Sequence, residues 1–230
     1  LFSSIENCQA NDNSMGSSNA NNYVAGIHSH TGDIVNCTCN NNNGGEFGMG
    51  VWKDPVALGF EFDANDYRIV NCTFNSNSGY GFNAIAPFGP GQGNVDQAQF
   101  INSTFNNNGR ESSGDAAGIS YVPFDQNLTD VVIKGCVING TFADAGDAAG
   151  INIPNASNVV IEDTIVNHTS AEGTGHGILF YTVNSSKIIR TQLHENQDIG
   201  VEIQGDNDTI ALIECVAMFN DIGFDFATSS

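Results

Sequence analysis

A segment of the form apolar, any, polar, small, any, apolar begins at Ile5, Ile34, Ile69, Phe100, Ile133, Ile161, Ile188 and Leu212, the small residue being Cys, Ser or Thr. Only Gly135, at the polar place, and the weakly apolar Ala10 and Ala217, at the last place, depart from it. Six places after each start stand Asn11, Asn40, Asn75, Asn106, Asn139 and Asn167, before His194 and Met218 end the series. A second segment, Gly followed by an apolar residue, occurs once per repeat, from Gly26-Ile27 to Gly223-Phe224. The starts are 29, 35, 31, 33, 28, 27 and 24 residues apart, which is the spacing of a solenoid with loops of variable length.

Helical periodicity is absent, and short β-branched runs are punctuated by Gly, Asn, Asp and Ser. These features predict an all-β parallel β-helix of eight coils in one solenoid domain spanning 1–230. A strand returning one coil later lies parallel to its predecessor at roughly 4.8 Å, so equivalent residues stack into columns. The crossover is expected to be right-handed. The Asn column resembles the interior asparagine ladder of the right-handed β-helix superfamily, in which stacked amides satisfy turn backbone. That superfamily includes pectate lyases, polygalacturonases, epimerases, phage tailspikes and non-catalytic surface proteins. The resemblance therefore implies the fold, and function has to come from a site.

The formal charge of −20, with only six Lys and Arg, excludes nucleic acid and anionic membranes as partners and weighs against tight binding of polyanionic sugars. No run approaches the ~18 apolar residues of a membrane span. An acidic, Asn-rich solenoid is expected outside the cell, or on a cell or virion surface. Neither end carries an evident cap for its strand edges, so flanking domains or homo-oligomerisation are expected to cover them. Cys8, Cys37, Cys72, Cys136 and Cys215 share a column with Ser103, Thr164 and Thr191, which predicts free thiols selected for small size. Asn-x-Ser/Thr sequons recur, among them Asn36, Asn71 and Asn102.

Two regions hold candidate sites. On coils 2 to 4 long loops gather near outward positions, and His28, His30, Lys53 and Arg110 are candidate catalytic groups. Trp52, Asn83 and Tyr121 are candidate contacts to a sugar, Trp52 by ring stacking. On the later coils Asp115 and Asp147 align, as do Asp198 with Asp221 and Glu202 with Asp225. Stacked carboxylates repel unless splayed, protonated or bridged by a cation, and oxygen-only ligands would suit Ca²⁺ at Asp198, Asp221, Glu202 and Asp225.

Gly175-His176-Gly177-Ile178 resembles the Gly-His-Gly segment of polygalacturonases, which implies a catalytic role for His176. That family places aspartates immediately before the Gly-apolar step on preceding coils. Here Ala117 and Ala149 occupy those places, and Asp115 and Asp147 lie two residues upstream. The expected function is a secreted or surface-displayed structural or adhesive β-helix, with a carbohydrate-contacting face around Trp52. The alternative is a polysaccharide lyase, epimerase or glycoside hydrolase working on the outward strand face, with a polysaccharide or cell-surface glycan as partner.

Overall fold

The computed structural model describes residues 4–14, 23–29, 32–43, 47–53, 67–85, 95–113, 115–122, 128–205 and 209–227. Every strand pair among them is parallel and joins one coil to the next. Each coil contributes to three main sheets, except that the first reaches the second sheet only through the bridge of Gln9 to Thr38. The first is eight-stranded and runs from Ser4–Glu6 to Ile210–Ile213. The second is seven-stranded, from Thr38–Asn40 to Val216–Met218. The third runs from Tyr23–Ser29 to Ile222–Ala227 and contains the longest strands, Ala148–Ser157 and Gly175–Asn184. Among the described residues no helix is long and apolar enough to cross a membrane.

Alternation within each short strand sends one apolar side chain into the lumen. Ile34, Ile69, Phe100, Ile133, Ile161 and Ile188 form one such register column, all fully buried. Phe74 and Phe105 stack in the second sheet at 4.9 Å between ring centroids, and Phe82 meets Phe100 edge to face at 4.7 Å. The core is thus a set of parallel apolar columns, and each coil buries its share only against its neighbours.

Two corners per coil are made by residues with left-handed backbone. The first is the polar place of the repeat: Asn7, Asn36, Asn71, Asn102, Gly135, Asp163, Arg190 and Glu214 all have φ between 46° and 63°. Gly135 therefore obeys the structural rule, since the position requires positive φ and Gly supplies it without steric cost. Asp12, Asn41, Ser76, Asn107, Gly140, His168, Glu195 and Phe219 make the second corner in the same way.

The interior amide ladder differs from the expected one. Asn40, Asn75, Asn106, Asn139 and Asn167 flank inward residues such as Cys39 and Phe74, so alternation turns them outward and leaves them only half-buried. The chain then passes the second corner, and the residue after it turns in. The ladder is Asn13, Asn42, Asn77, Asn108, Asn196 and Asn220, with Thr141 and Thr169 in the fifth and sixth coils. Asn42 Nδ2 donates to Asn77 Oδ1 at 2.8 Å and Asn77 Nδ2 to Asn108 Oδ1 at 2.9 Å. Asn77 Nδ2 also donates to the Cys39 carbonyl at 3.1 Å, which keeps a buried acceptor paired.

All six cysteines are free thiols. Cys37, Cys72 and Cys136 are buried, and their Sγ atoms donate to backbone carbonyls as the Ser103, Thr164 and Thr191 hydroxyls of the same column do. Cys8 is exposed and Cys215 half-buried, so the column is buried only in the middle of the stack. Burial holds the thiols protonated: the pKa of Cys39 is pushed up to about 12 and that of Cys136 to about 11.

Candidate functional site

The outward side of the third sheet brings most of the sequence candidates onto one surface. His28, Trp52, Asn83, Ser120, Asn152, Leu179, Glu202 and Asp225 form a single register column, one from each coil. His28 is exposed. Asn83 and Ser120 are buried although they face away from the lumen, and Asn83 Oδ1 has no hydrogen-bond partner among the described residues. Trp52 is placed by backbone register alone. His30 and the loops 54–66, 86–94 and 123–127 lie outside the described residues.

Two candidates belong elsewhere. Tyr121 is a core residue, only 3% exposed, and its hydroxyl meets that of Tyr67 at 2.7 Å inside the stack. It is therefore not displayed towards a sugar. The reason is register: Tyr121 sits one residue after the outward Ser120, and alternation turns it in. Lys53 pairs in register with Ala84, which pairs with Tyr121, so its backbone position belongs to that inward column. Arg110 lies in the strand Gly109–Ser113, part of a separate three-stranded sheet that also contains Phe142–Ala145 and Ser170–Ala171. The register thus places His28 and Trp52 in one column, Lys53 in the next and Arg110 in a separate sheet.

The later coils hold the best-built polar cluster. His176 is the second residue of the strand Gly175–Asn184, and Gly177 follows it where the coils pass closely. A Cβ on Gly177 would stand 2.5 Å from the Gly200 carbonyl oxygen and 2.8 Å from Asn196 Nδ2, so only glycine fits. The register neighbours of His176 are Ala149 and Ile199, and the small Ala149 leaves room for the imidazole. Glu202, across from Leu179 on the next coil, reaches diagonally to it: His176 Nδ1 and Glu202 Oε2 are 2.9 Å apart, with the two side chains 6% and 9% exposed. The approach is oblique, and neither atom has an aligned hydrogen-bond partner among the described residues. Glu202 Oε1 accepts from Gln204 Nε2, which fixes the carboxylate from the other side.

Two further acids border the same histidine, and both are used by backbone. Asp198 Oδ2 accepts from Gly175 N at 2.6 Å. Asp147 Oδ1 accepts from both the backbone N–H and the hydroxyl of Thr174, each at 2.8 Å. Those two bonds hold the Asp147 carboxyl below the usual carboxylate range, with a smaller contribution from the nearby His176. One coil back, Asp115 Oδ1 accepts from Asp147 N at 3.1 Å. Asp115 and Asp147, aligned in the sequence, are thus joined through a backbone donor.

Among the described residues no three His, Cys, Asp or Glu side chains are placed to hold a metal ion. Of the four acids considered for Ca²⁺, Asp198 and Glu202 are engaged as above, while Asp221 is exposed and Asp225 half-buried. Motif and column arguments pick out His176 and Glu202 separately. Their contact is not visible in the sequence, because it runs diagonally between coils and depends on the length of the intervening turn.

Fold and site together define a right-handed parallel β-helix carrying a buried imidazole–carboxylate pair on its outward sheet face. No known family's sequence profile matches the chain, and no curated protein does. Among solved structures it is similar to the periplasmic alginate epimerase AlgG, with a TM-score of 0.54 and 12% identity over 87% of this chain and 48% of that one. It is also similar to a double mutant of AlgG, with a TM-score of 0.55 and 15% identity over 99% of this chain and 57% of that one. The chain spans about half the length of these structures.

Proposed function

We propose that this chain modifies a carbohydrate polymer by proton transfer at the outward face of the third sheet, with His176 as the acid–base group and Glu202 orienting it. The observation that carries the reading is the buried contact of 2.9 Å between His176 Nδ1 and Glu202 Oε2. With Nδ1 turned to the carboxylate, Nε2 is the ring nitrogen left to exchange a proton, and Glu202 stabilises the imidazolium that forms. On a uronate, His176 taking the proton α to the carboxylate and passing it to the departing glycosidic oxygen is lyase chemistry. Delivery of a proton from water to the opposite face of the same carbanion, with the removed proton kept on His176 and later lost to solvent, is epimerisation. The likeness to an alginate epimerase supports a polysaccharide substrate, and an extracytoplasmic setting accompanies that proposal.

The test is incubation with alginate, polygalacturonate and a panel of neutral polysaccharides, reading chain length, unsaturated ends and, by NMR, sugar configuration. His176→Ala is expected to lose activity by about 100-fold or more, as for a positioned general base. A calcium and chelator arm tests whether Asp221, Asp225 and their neighbours recruit Ca²⁺ when polymer is present. If no polymer changes in length, ends or configuration, the catalytic reading falls. A structural or adhesive β-helix would then stand.

A further inference from the structure

We infer that the outward face of the second sheet over coils 2 to 4 is a docking strip for an uncharged polysaccharide lying along the solenoid axis. It is separate from the His176 region and does not depend on it. Three coils contribute four positions each, and all twelve side chains are amides or hydroxyls: Asn36, Thr38, Asn40 and Asn41, then Asn71, Thr73, Asn75 and Ser76, then Asn102, Thr104, Asn106 and Asn107. No charge interrupts this strip in a chain of net charge −20. The strand positions are in strict register, Thr38 with Thr73 and Thr104, and Asn40 with Asn75 and Asn106.

The corner residues have a structural reason to be Asn or Ser, since they adopt positive φ. The strand positions are less constrained: Thr is an ordinary strand former, and the asparagine amides link neighbouring coils, as Asn40 Oδ1 does in accepting from Asn75 N. Asn is a poor strand former, and the half-buried outward sites of a three-residue strand would favour β-branched residues throughout. In the same two columns later coils change at the threonine place to Val137, Ile165, Gln192 and Val216, while the asparagine place keeps Asn139 and Asn167 before His194 and Met218. A second observation points to a missing partner: Asn75 Oδ1 is buried without a hydrogen bond among the described residues. An unpaired acceptor of that kind is costly unless something supplies a donor.

The chemistry selects the occupant. Amides and hydroxyls both donate and accept, which matches sugar hydroxyls. The array repeats at roughly 4.8 Å along the axis and about 6.6 Å across each strand, and one sugar of an extended β-linked polymer advances by about one coil's rise. Several groups are already immobilised: Asn71 Nδ2 donates to Asn36 Oδ1 at 3.3 Å, and Asn40 Oδ1 accepts from Asn75 N at 3.1 Å. Little side-chain entropy is then lost on binding, and weak contacts repeated along one chain add up. The strip itself carries no cation to attract a polyanion, so an uncharged polymer is its better match.

The experiment is retention of the protein, made in a host without N-glycosylation, on insoluble cellulose, xylan and mannan, with alginate gel and chitosan as charged comparisons. At least one neutral polymer is expected to retain it, and the triple variant Thr38→Val, Thr73→Val, Thr104→Val to bind at least tenfold more weakly. Thr73→Asp, which puts a charge into the strip, is a second variant that does not depend on the triple one folding. Chemical shifts of the strip's asparagine side-chain amides should move with soluble oligosaccharide while those of Asn196 and Asn220 stay fixed. Equal retention of wild type and Thr73→Asp, stronger retention on a charged polymer, or no retention on any neutral one would overturn the inference. His176→Ala should bind as wild type does, so this result and the catalytic one separate.

Discussion

Coils 2 to 4 and coils 5 to 7 solve the same problem with different chemistry. Each must satisfy backbone N–H groups at the turn between the second and third sheets. In coils 2 to 4 the acceptor is a buried amide: Asn77 Oδ1 takes the N–H of Asn42, and Asn108 Oδ1 that of Asn77. In coils 5 and 6 the amide gives way to Thr141 and Thr169, whose hydroxyls are buried without partners among the described residues. There carboxylates nearer the surface, Asp115 of the fourth coil, Asp147 and Asp198, also accept from neighbouring backbone, beside the amides of Asn196 and Gln197. The first device is neutral and indifferent to pH, whereas the second includes Asp147, whose carboxyl Thr174 holds below its ordinary range. Asp147 lies near His176, so the region of the proposed site also has a support that responds to protons.

Replacing Asn77 by Leu should break the amide device most severely. It strips an acceptor from Asn42 and donors from Cys39 and Asn108, and a loss of about 4 kcal/mol is expected, read by chemical denaturation. Gly150→Ala should cost about 2 kcal/mol in the other region, because the new Cβ would lie 2.7 Å from the Gly177 carbonyl oxygen and 2.3 Å from Val166 Cγ1. Thr169→Asn should import the amide device into the sixth coil. Thr169 N already donates to Asn196 Oδ1 at 3.2 Å, and an amide there could add its own bonds, for a gain of about 1 kcal/mol in a thermal melt.

The smallest effect carries the pH signature. Thr174 holds the folded-state pKa of Asp147 below its ordinary value. The stabilisation it gives is complete above the unfolded pKa of about 3.9 and disappears as pH falls through the lower folded value. Asp147→Asn should therefore be less stable than wild type at neutral pH, with the difference closing in acid. A constant difference across that range would mean that the carboxylate column does not titrate as a support.

Much of the fold is legible because the apolar, polar, small grammar of the repeat maps onto one core residue, one corner and one lumen-facing small residue. The polar place reads correctly as special, yet composition alone cannot reveal that it marks positive φ, which is why Gly135 looks like an exception. The asparagine column six places after each start is real, but choosing between inside and outside needs the corner that follows it. That corner moves the buried ladder to Asn42, Asn77 and Asn108. At the site, His176 emerges from its resemblance to the Gly-His-Gly segment and Glu202 from its column. Their pairing depends on how far two side chains reach across coils, which no local pattern encodes. Tyr121 fails as a displayed aromatic because a one-residue step reverses its facing.

The ion pairs of the described Lys and Arg residues lie on and beside the first sheet. Arg68 pairs with Asp33, Lys134 with Glu162, and Arg190 with both Glu162 and Asp163. These ion pairs are thus concentrated on one flank, while acids such as Glu202 and Asp225 lie in register on adjacent coils. At physiological ionic strength the screening length is about 8 Å, longer than the roughly 4.8 Å rise of a coil. Neighbouring coils there still feel each other's charge. Added salt should consequently tighten this solenoid, as in a polyelectrolyte relieved of its own repulsion, and dilution into low-salt water should loosen it.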